Sequence, residues 1–328
     1  MKRTVLIAVC LMLTASWAAV DVRWNGGIFP RFTYNAKSMY FDLMAAELIA
    51  QAQVTTATRD VMSGYVQVFA AGHDGGAWRY GFHFGQAYVM MPLGLGWPAV
   101  KAGQAVVPFG LLASYDIHSQ IIQTTFDKTI GLRTDPGVGL QGAVGVLDYS
   151  FWFSNGNGVN RHENDKDKVY TLRVAPKFLL GDAELSVGLS ALDGSLPYFP
   201  IESLAAVSRG PTVYAKKYRL GLDNTTDWGP LTLRLEGVAG KDSSMSHPIV
   251  FGYYAEGRYA FVRWLEALLK YDGWHANGGS VRVVSGGLNF THPDYSKLEL
   301  QTAYERVLTK IPSIDTNVWR FTTLLAFR

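Results

Sequence analysis

The chain has 328 residues, of which 48% are hydrophobic, only 17% are charged and 34 are glycine, with a formal net charge of +3. That length can bury a large core, and the low charge goes with no set of long apolar runs, which excludes a bundle of membrane helices. The 30 basic and 27 acidic residues nearly balance, so charge gives no case for a nucleic-acid partner.

The single long apolar stretch comes first, from Val5 to Val20. Lys2 and Arg3 precede it, the apolar middle runs from Val5 to Leu13, and Ser16-Trp17-Ala18 supplies small residues before a cleavage point. This is the pattern of a secretory leader. The apolar middle is too short to span a bilayer, which takes about 20 residues. Residues 1–18 are therefore expected to be a cleaved signal, with 19–328 as the mature domain. Cleavage removes Cys10, the only cysteine, and with it any disulfide or thiolate metal site.

Beyond the leader the apolar residues recur with period two rather than 3.6. Leu231, Leu233 and Leu235 alternate with Thr232, Arg234 and Glu236. Tyr170, Leu172 and Val174 alternate with Thr171, Arg173 and Ala175, and Leu185, Val187 and Leu189 with Glu184, Ser186 and Ser190. In chain order, sixteen such segments are predicted: 22–35, 45–57, 64–74, 79–90, 99–109, 134–145, 147–156, 168–179, 183–193, 214–227, 231–241, 250–262, 265–275, 280–292, 297–308 and 318–328. Merging or splitting one hairpin would give fourteen or eighteen. Each is about ten residues long, the length of a tilted strand that crosses a membrane.

The links between segments alternate in length. Gly181-Asp182, Gly229-Pro230 and Arg263-Trp264 are tight, whereas 110–133, 159–167 and 194–213 are long. Short turns on one side and long loops on the other describe an all-β, antiparallel transmembrane barrel with both termini on the short-turn, periplasmic side. A soluble sandwich also alternates, but its polar face points outward. The export signal, the alternating loops and the aromatics near strand ends (Trp24, Phe29, Trp228, Trp264 and Trp319) favour the barrel. The final strand carries Trp319, Phe321, Leu325 and Phe327 on its expected lipid face and Arg320 on its lumen face.

The same alternation assigns the interior. The expected pore-lining basic residues are Arg173, Lys217, Arg219, Arg234, Arg258, Lys270, Arg282 and Arg320, with Glu236, Glu256 and Glu299 interspersed. A barrel this wide leaves an aqueous channel. The longest link, 111–133, carries apolar Ile117, Ile121, Ile122 and Phe126, too much apolar surface for an exposed loop. It is expected to fold into the lumen and set the constriction with Asp116, Asp127, Lys128 and Arg133.

Lys101 to Asp116, "KAGQAVVPFGLLASYD", and Phe151 to Gly158, "FWFSNGNG", resemble the strand-and-exit stretch and the Asn-Gly turn of the phosphate-selective porin family. The resemblance covers less than about a tenth of the chain. It implies a sixteen-stranded, usually trimeric porin with an inward loop. The family's anion selectivity relies on an arginine ladder and a lysine cluster; here the wall arginines are interspersed with Glu236, Glu256 and Glu299, so phosphate specificity is not carried over. The chain separately departs from the common aromatic terminus of outer-membrane barrels by ending on Arg328.

Other signals have plainer readings. "GVGLQG", Gly137 to Gly142, matches a dinucleotide pattern but is followed by strand rather than helix. The seven histidines are scattered without metal-ligand spacing, and no nucleophile elbow occurs. His118-Ser119 is the one adjacent pair with hydrolase chemistry, and "RHENDKDK", Arg161 to Lys168, reads as a solvated loop. No catalytic residue, metal or cofactor is assigned. The sequence therefore points to a non-enzymatic, passive porin in the outer membrane of a Gram-negative bacterium. Its expected partners are membrane lipid, lipopolysaccharide, small hydrophilic solutes or anions, and copies of itself in a homotrimer. The alternative is a porin-like sleeve around a partner such as a multihaem cytochrome.

Overall fold

The computed structural model describes residues 19–35, 39–56, 60–71, 81–94, 97–114, 130–158, 166–198, 213–243, 248–276, 279–294, 298–308 and 319–327. The expected leader, Asp116, Asp127 and Lys128 of the inward link, the His118-Ser119 pair, Arg161 to Asp165 and Arg328 lie outside these residues.

Sixteen strands form one closed antiparallel barrel. They are β1 (Ala19–Asn35), β2 (Met39–Thr55), β3 (Asp60–Ala71), β4 (Gly81–Pro92), β5 (Ala99–Val106), β6 (Thr134–Val144), β7 (Leu147–Ser154) and β8 (Val169–Leu180). The second half comprises β9 (Ala183–Tyr198), β10 (Val213–Trp228), β11 (Leu231–Asp242), β12 (Ile249–Val262), β13 (Leu265–Ala276), β14 (Gly279–Thr291), β15 (Leu298–Val307) and β16 (Trp319–Phe327). Among the described residues the one helical turn is a 3-10 turn at Gly110–Ser114. Each strand bonds to its sequence neighbours, and β1 closes the ring on β16 with Arg31 opposite Leu324 and Tyr34 opposite Phe321. Closure matters because a strand edge in hydrocarbon would leave N–H and C=O groups unbonded, each costing several kcal/mol.

Side chains sort by face as period two requires. Leu189, Leu220, Leu222, Leu235 and Leu269 are exposed on the outside, where no soluble fold would leave such a band. Arg219, Asp223, Glu236 and Glu256 point inward and are buried. Trp24, Trp97, Trp228 and Trp264 are exposed toward the short-turn end, an interfacial girdle. Phe29 is not part of it, contrary to expectation. It lies an odd number of residues from Trp24 and so faces inward, fully buried against Ala45 and Leu324.

Two strands run further than their alternation suggests. β2 begins at Met39 rather than 45, because a bulge opposite Phe29/Pro30 reverses the phase of its first residues. β9 continues past 193 to Tyr198, pairing with the start of β10 through Gly194 and Pro197, residues that read as a turn. A Leu222→Arg substitution on the outer face should destabilise the barrel by about 2–4 kcal/mol in denaturant titrations in lipid, whereas Gln51→Arg on the inner face should cost far less. Equal costs would contradict the assignment of faces.

Candidate functional site

β5 is short and leaves the wall partway up the barrel. Its exit and the return limb are stitched together where the Val107 N–H donates to the Arg133 carbonyl at 2.9 Å. Val107, Phe109 and Leu112 on the way in, and Ile130 and Leu132 on the way out, are buried in one cluster with Trp152, Val169, Leu192, Leu196 and Val238. The cluster partners are inward-facing residues of β7, β8, β9 and β11. Both ends of the link therefore lie inside the barrel against one wall, driven there by apolar burial.

Polar contacts fix the same ends. The Gly110 N–H donates to Ser190 Oγ at 3.0 Å, and the Leu111 N–H donates to the Glu236 carboxylate. Lys217 Nζ donates to the carbonyls of Ile130 at 3.1 Å and Pro197 at 2.6 Å. Gly110 and Gly131 have φ of 54° and 90°. A Cβ at Gly110 would strike the Glu236 carboxylate, and one at Gly131 the Pro197 carbonyl, so only glycine fits both corners. Nearby, Asp135 accepts from the N–H groups of Gly156 at 2.5 Å and Gly158 at 2.8 Å, holding the Asn-Gly turn beside Leu132.

Besides Lys217 and Glu236, which bond backbone groups, the expected lumen charges on β8 and β10–β13 meet an opposite charge. Arg173 donates to Asp223 at 2.6 and 3.3 Å. Arg219 meets Asp242 at 2.5 Å and also donates to the carbonyls of Tyr218 and Lys241 at 3.0 and 3.1 Å. Arg234 and Arg258 converge on Glu256 at 3.2 and 2.5 Å, and Arg258 reaches Glu266 at 3.6 Å. The Tyr254 hydroxyl donates to the same Glu256 carboxylate. Lys270 lies 3.5 Å from Asp272, and Glu299 accepts from Gln301 at 3.0 Å. Arg133 sits on the return limb, partly buried. The backbone of Arg320 lies opposite Glu305, its side chain being outside the description.

Arg282 is not pore-lining. Its backbone pairs with Gly273 in the outward row, while Val281 and Val283 pair with Trp274 and Asp272 in the inward row. Val281 is buried beside Trp274, which sets the phase of this end of β14. The alternation Val-Arg-Val was legible, but which side was wet was not.

The opposite wall carries residues that the sequence reading passed over. Tyr65 and Tyr88 stack with centroids 5.3 Å apart and planes 7° from parallel, and Lys101 Nζ sits 4.0 Å above the Tyr88 ring. Beside them Arg23 and Asp21 pair at 2.8 Å with side chains 74% and 56% exposed. Gln51 is exposed on the same face. Their inward position was available from parity, since Tyr65 alternates with exposed Val66, but aromatics were assigned to the outside. In β6, Gly137 and Gly139 of the dinucleotide-like pattern lie against the β7 backbone, as strand glycines. Among the described residues no group of three or more His, Cys, Asp or Glu is arranged to hold a metal ion.

No protein-family model matches the sequence, and no curated protein matches it. Solved structures do. The trimer form of OmpT, an outer membrane protein of Vibrio cholerae, superposes with a TM-score of 0.67 at 13% identity over 94% of this chain and 99% of that one. An anion-selective porin from Comamonas acidovorans gives 0.64 at 12% identity, over 94% and 98%. The outer membrane channel DcaP of Acinetobacter baumannii gives 0.63 at 11% identity, over 94% and 97%. At such identities the likeness is one of fold. The chain has the sixteen-stranded transmembrane barrel fold of Gram-negative outer-membrane proteins, porins among them.

The Arg219–Asp242 pair is fully enclosed, so breaking it strands a charge. Asp242→Leu should destabilise the protein by about 3–5 kcal/mol in chemical unfolding, and adding Arg219→Met should recover most of that loss. A double variant no more stable than the single one would show that the pair is not the unit of stability.

Proposed function

We propose that the mature chain is an outer-membrane porin, a passive path for small hydrophilic solutes or ions with weak charge selectivity. The observation that carries this reading is the asymmetry of the interior. The ends of the inward segment are buried on the β7–β11 wall, while the β1–β5 wall keeps Arg23, Asp21 and Gln51 exposed to the lumen. The aqueous path then runs along β1–β5, between Tyr65, Tyr88 and Lys101 on one side and the inward segment on the other. Weak selectivity is supported by the matching of basic residues with carboxylates at contact distance on the far wall. Asp116, Asp127, Lys128 and Arg133 at the constriction tune it.

Kinship with the phosphate-selective porins rests on the two stretches of resemblance, which meet in one buried cluster, Val107, Phe109 and Leu112 of the first with Trp152 of the second. Assembly as a homotrimer belongs to the same reading and is supported by the trimer form of the Vibrio cholerae barrel. The buried ends of the inward segment, 107–114 and 130–133, take space inside the barrel that a sleeve would have to give to a cytochrome, which favours the channel. No catalytic residue or cofactor enters this function.

Planar-bilayer recording of the refolded mature chain should show discrete conductance steps with mild ion selectivity. Removing 115–129 should enlarge the steps, and Arg23→Glu should move the reversal potential toward cation preference. Absence of steps from the intact chain would overturn the channel, and an unmoved reversal potential would place the path elsewhere.

A further inference from the structure

The outer face of β12–β15 is apolar from the short-turn rim upward, through Phe261, Leu265, Leu269, Leu288 and Leu300. It then changes abruptly. Arg282 on β14 and Arg306 on β15 both point outward and are exposed, Arg306 opposite Val284 and Arg282 two residues further along. None of the described outward-facing residues of these four strands is acidic.

Their height can be estimated. A strand residue rises about 3.3 Å, or about 2.4 Å along the axis when tilted by about 45°. Thr291, whose N–H donates to the Trp264 carbonyl at 3.0 Å, marks the short-turn girdle. Counting along β14 from there puts Arg282 about 21 Å higher, near the top of an apolar band about 25 Å tall. Counted the same way, Arg306, opposite Val284, stands about 17 Å up, from where a long arginine side chain snorkels to the headgroup level that Arg282 borders on the long-loop side.

The surroundings suit a phosphorylated headgroup. Arg282 pairs with Gly273, which pairs with Tyr253. Gly273 has no side chain, and the Tyr253 ring lies in the space a Cβ would take, so ring and arginine approach over bare backbone. The Tyr253 hydroxyl donates to that of Tyr271 at 3.2 Å. One row higher, His275 stacks on Phe251 at 5.0 Å and its Nδ1 lies 2.8 Å from Ser280 Oγ.

We propose that Arg282 and Arg306, with the Tyr253–Tyr271 hydroxyl pair, form an outward-facing site for the phosphate of an outer-leaflet lipid whose acyl chains lie along the apolar face below. Guanidinium forks match phosphate oxygens in bidentate geometry. The tyrosine, serine and histidine groups supply hydrogen bonds for a sugar, which favours a phosphorylated glycolipid over a phospholipid. The site rests on the outer-membrane reading above but not on conduction.

The test is native mass spectrometry of the intact, detergent-solubilised barrel titrated separately with diphosphoryl lipid A, dephosphorylated lipid A, phosphatidylglycerol and inorganic phosphate. Wild type and Lys101→Gln should retain diphosphoryl lipid A at least about tenfold more tightly than Arg282→Gln/Arg306→Gln. Dephosphorylated lipid should bind all three alike and weakly. Phosphatidylglycerol bound as tightly as lipid A would overturn the glycolipid preference. Free phosphate bound as tightly as lipid, or undiminished retention by the double variant, would overturn the site. A double variant that inserts and conducts like wild type while losing lipid A isolates the site. A wild type that neither inserts nor conducts would sink the porin reading instead.

Discussion

In hydrocarbon a backbone N–H or C=O can bond only to other protein groups, so a sheet that crosses a membrane must close. Everything else in this molecule follows from meeting that condition. β1 meets β16, and no strand is left as an edge. Once the sheet is closed, alternate side chains face two different media, and the composition of each strand is constrained twice over. The low overall charge goes with the apolar outer band, while Arg219, Asp223, Glu236 and Glu256 are enclosed inside.

The interior departs from a uniform wet channel. Apolar residues at both ends of the β5–β6 link find their partners within the barrel, at Trp152, Leu192 and Val238, not in a separate core. Covering that wall removes water from charged groups, and unpaired ions there would be costly. The wall instead carries opposite-sign partners, Arg173 of β8 reaching Asp223 of β10 over Gly188 of β9, and Arg219 meeting Asp242 on the adjacent strand. Packing of the segment's two ends and pairing of the wall are thus two sides of one arrangement, while Arg23, Asp21 and Gln51 on β1 and β2 stay exposed.

Strand number and overall alternation could be read from the chain because apolar residues on the outer face of β8, β9 and β11 recur at every second position. The reading weakened where the rule changes locally. The bulge opposite Phe29/Pro30 inverts the phase at the start of β2. Near the long-loop rim the outer medium is no longer hydrocarbon, so Arg282 can face outward while Val281 packs inside on the row of Trp274. Tyr65 and Tyr88 line the interior although aromatics are commonest in outer girdles, because a ring stacked on a ring is satisfied on either side.

The sequence by itself determined the class of fold, the approximate strands and the side of the barrel bearing long loops. These depend on local periodicity and on turn residues, which neighbouring positions encode. Only the tertiary structure decided which arginines are paired, that Lys217 anchors Ile130, and that Gly110 and Gly131 turn the inward segment against the Glu236 and Pro197 side. Those outcomes depend on registers between strands distant in sequence, and a shift of one residue would send each of these side chains to the opposite face.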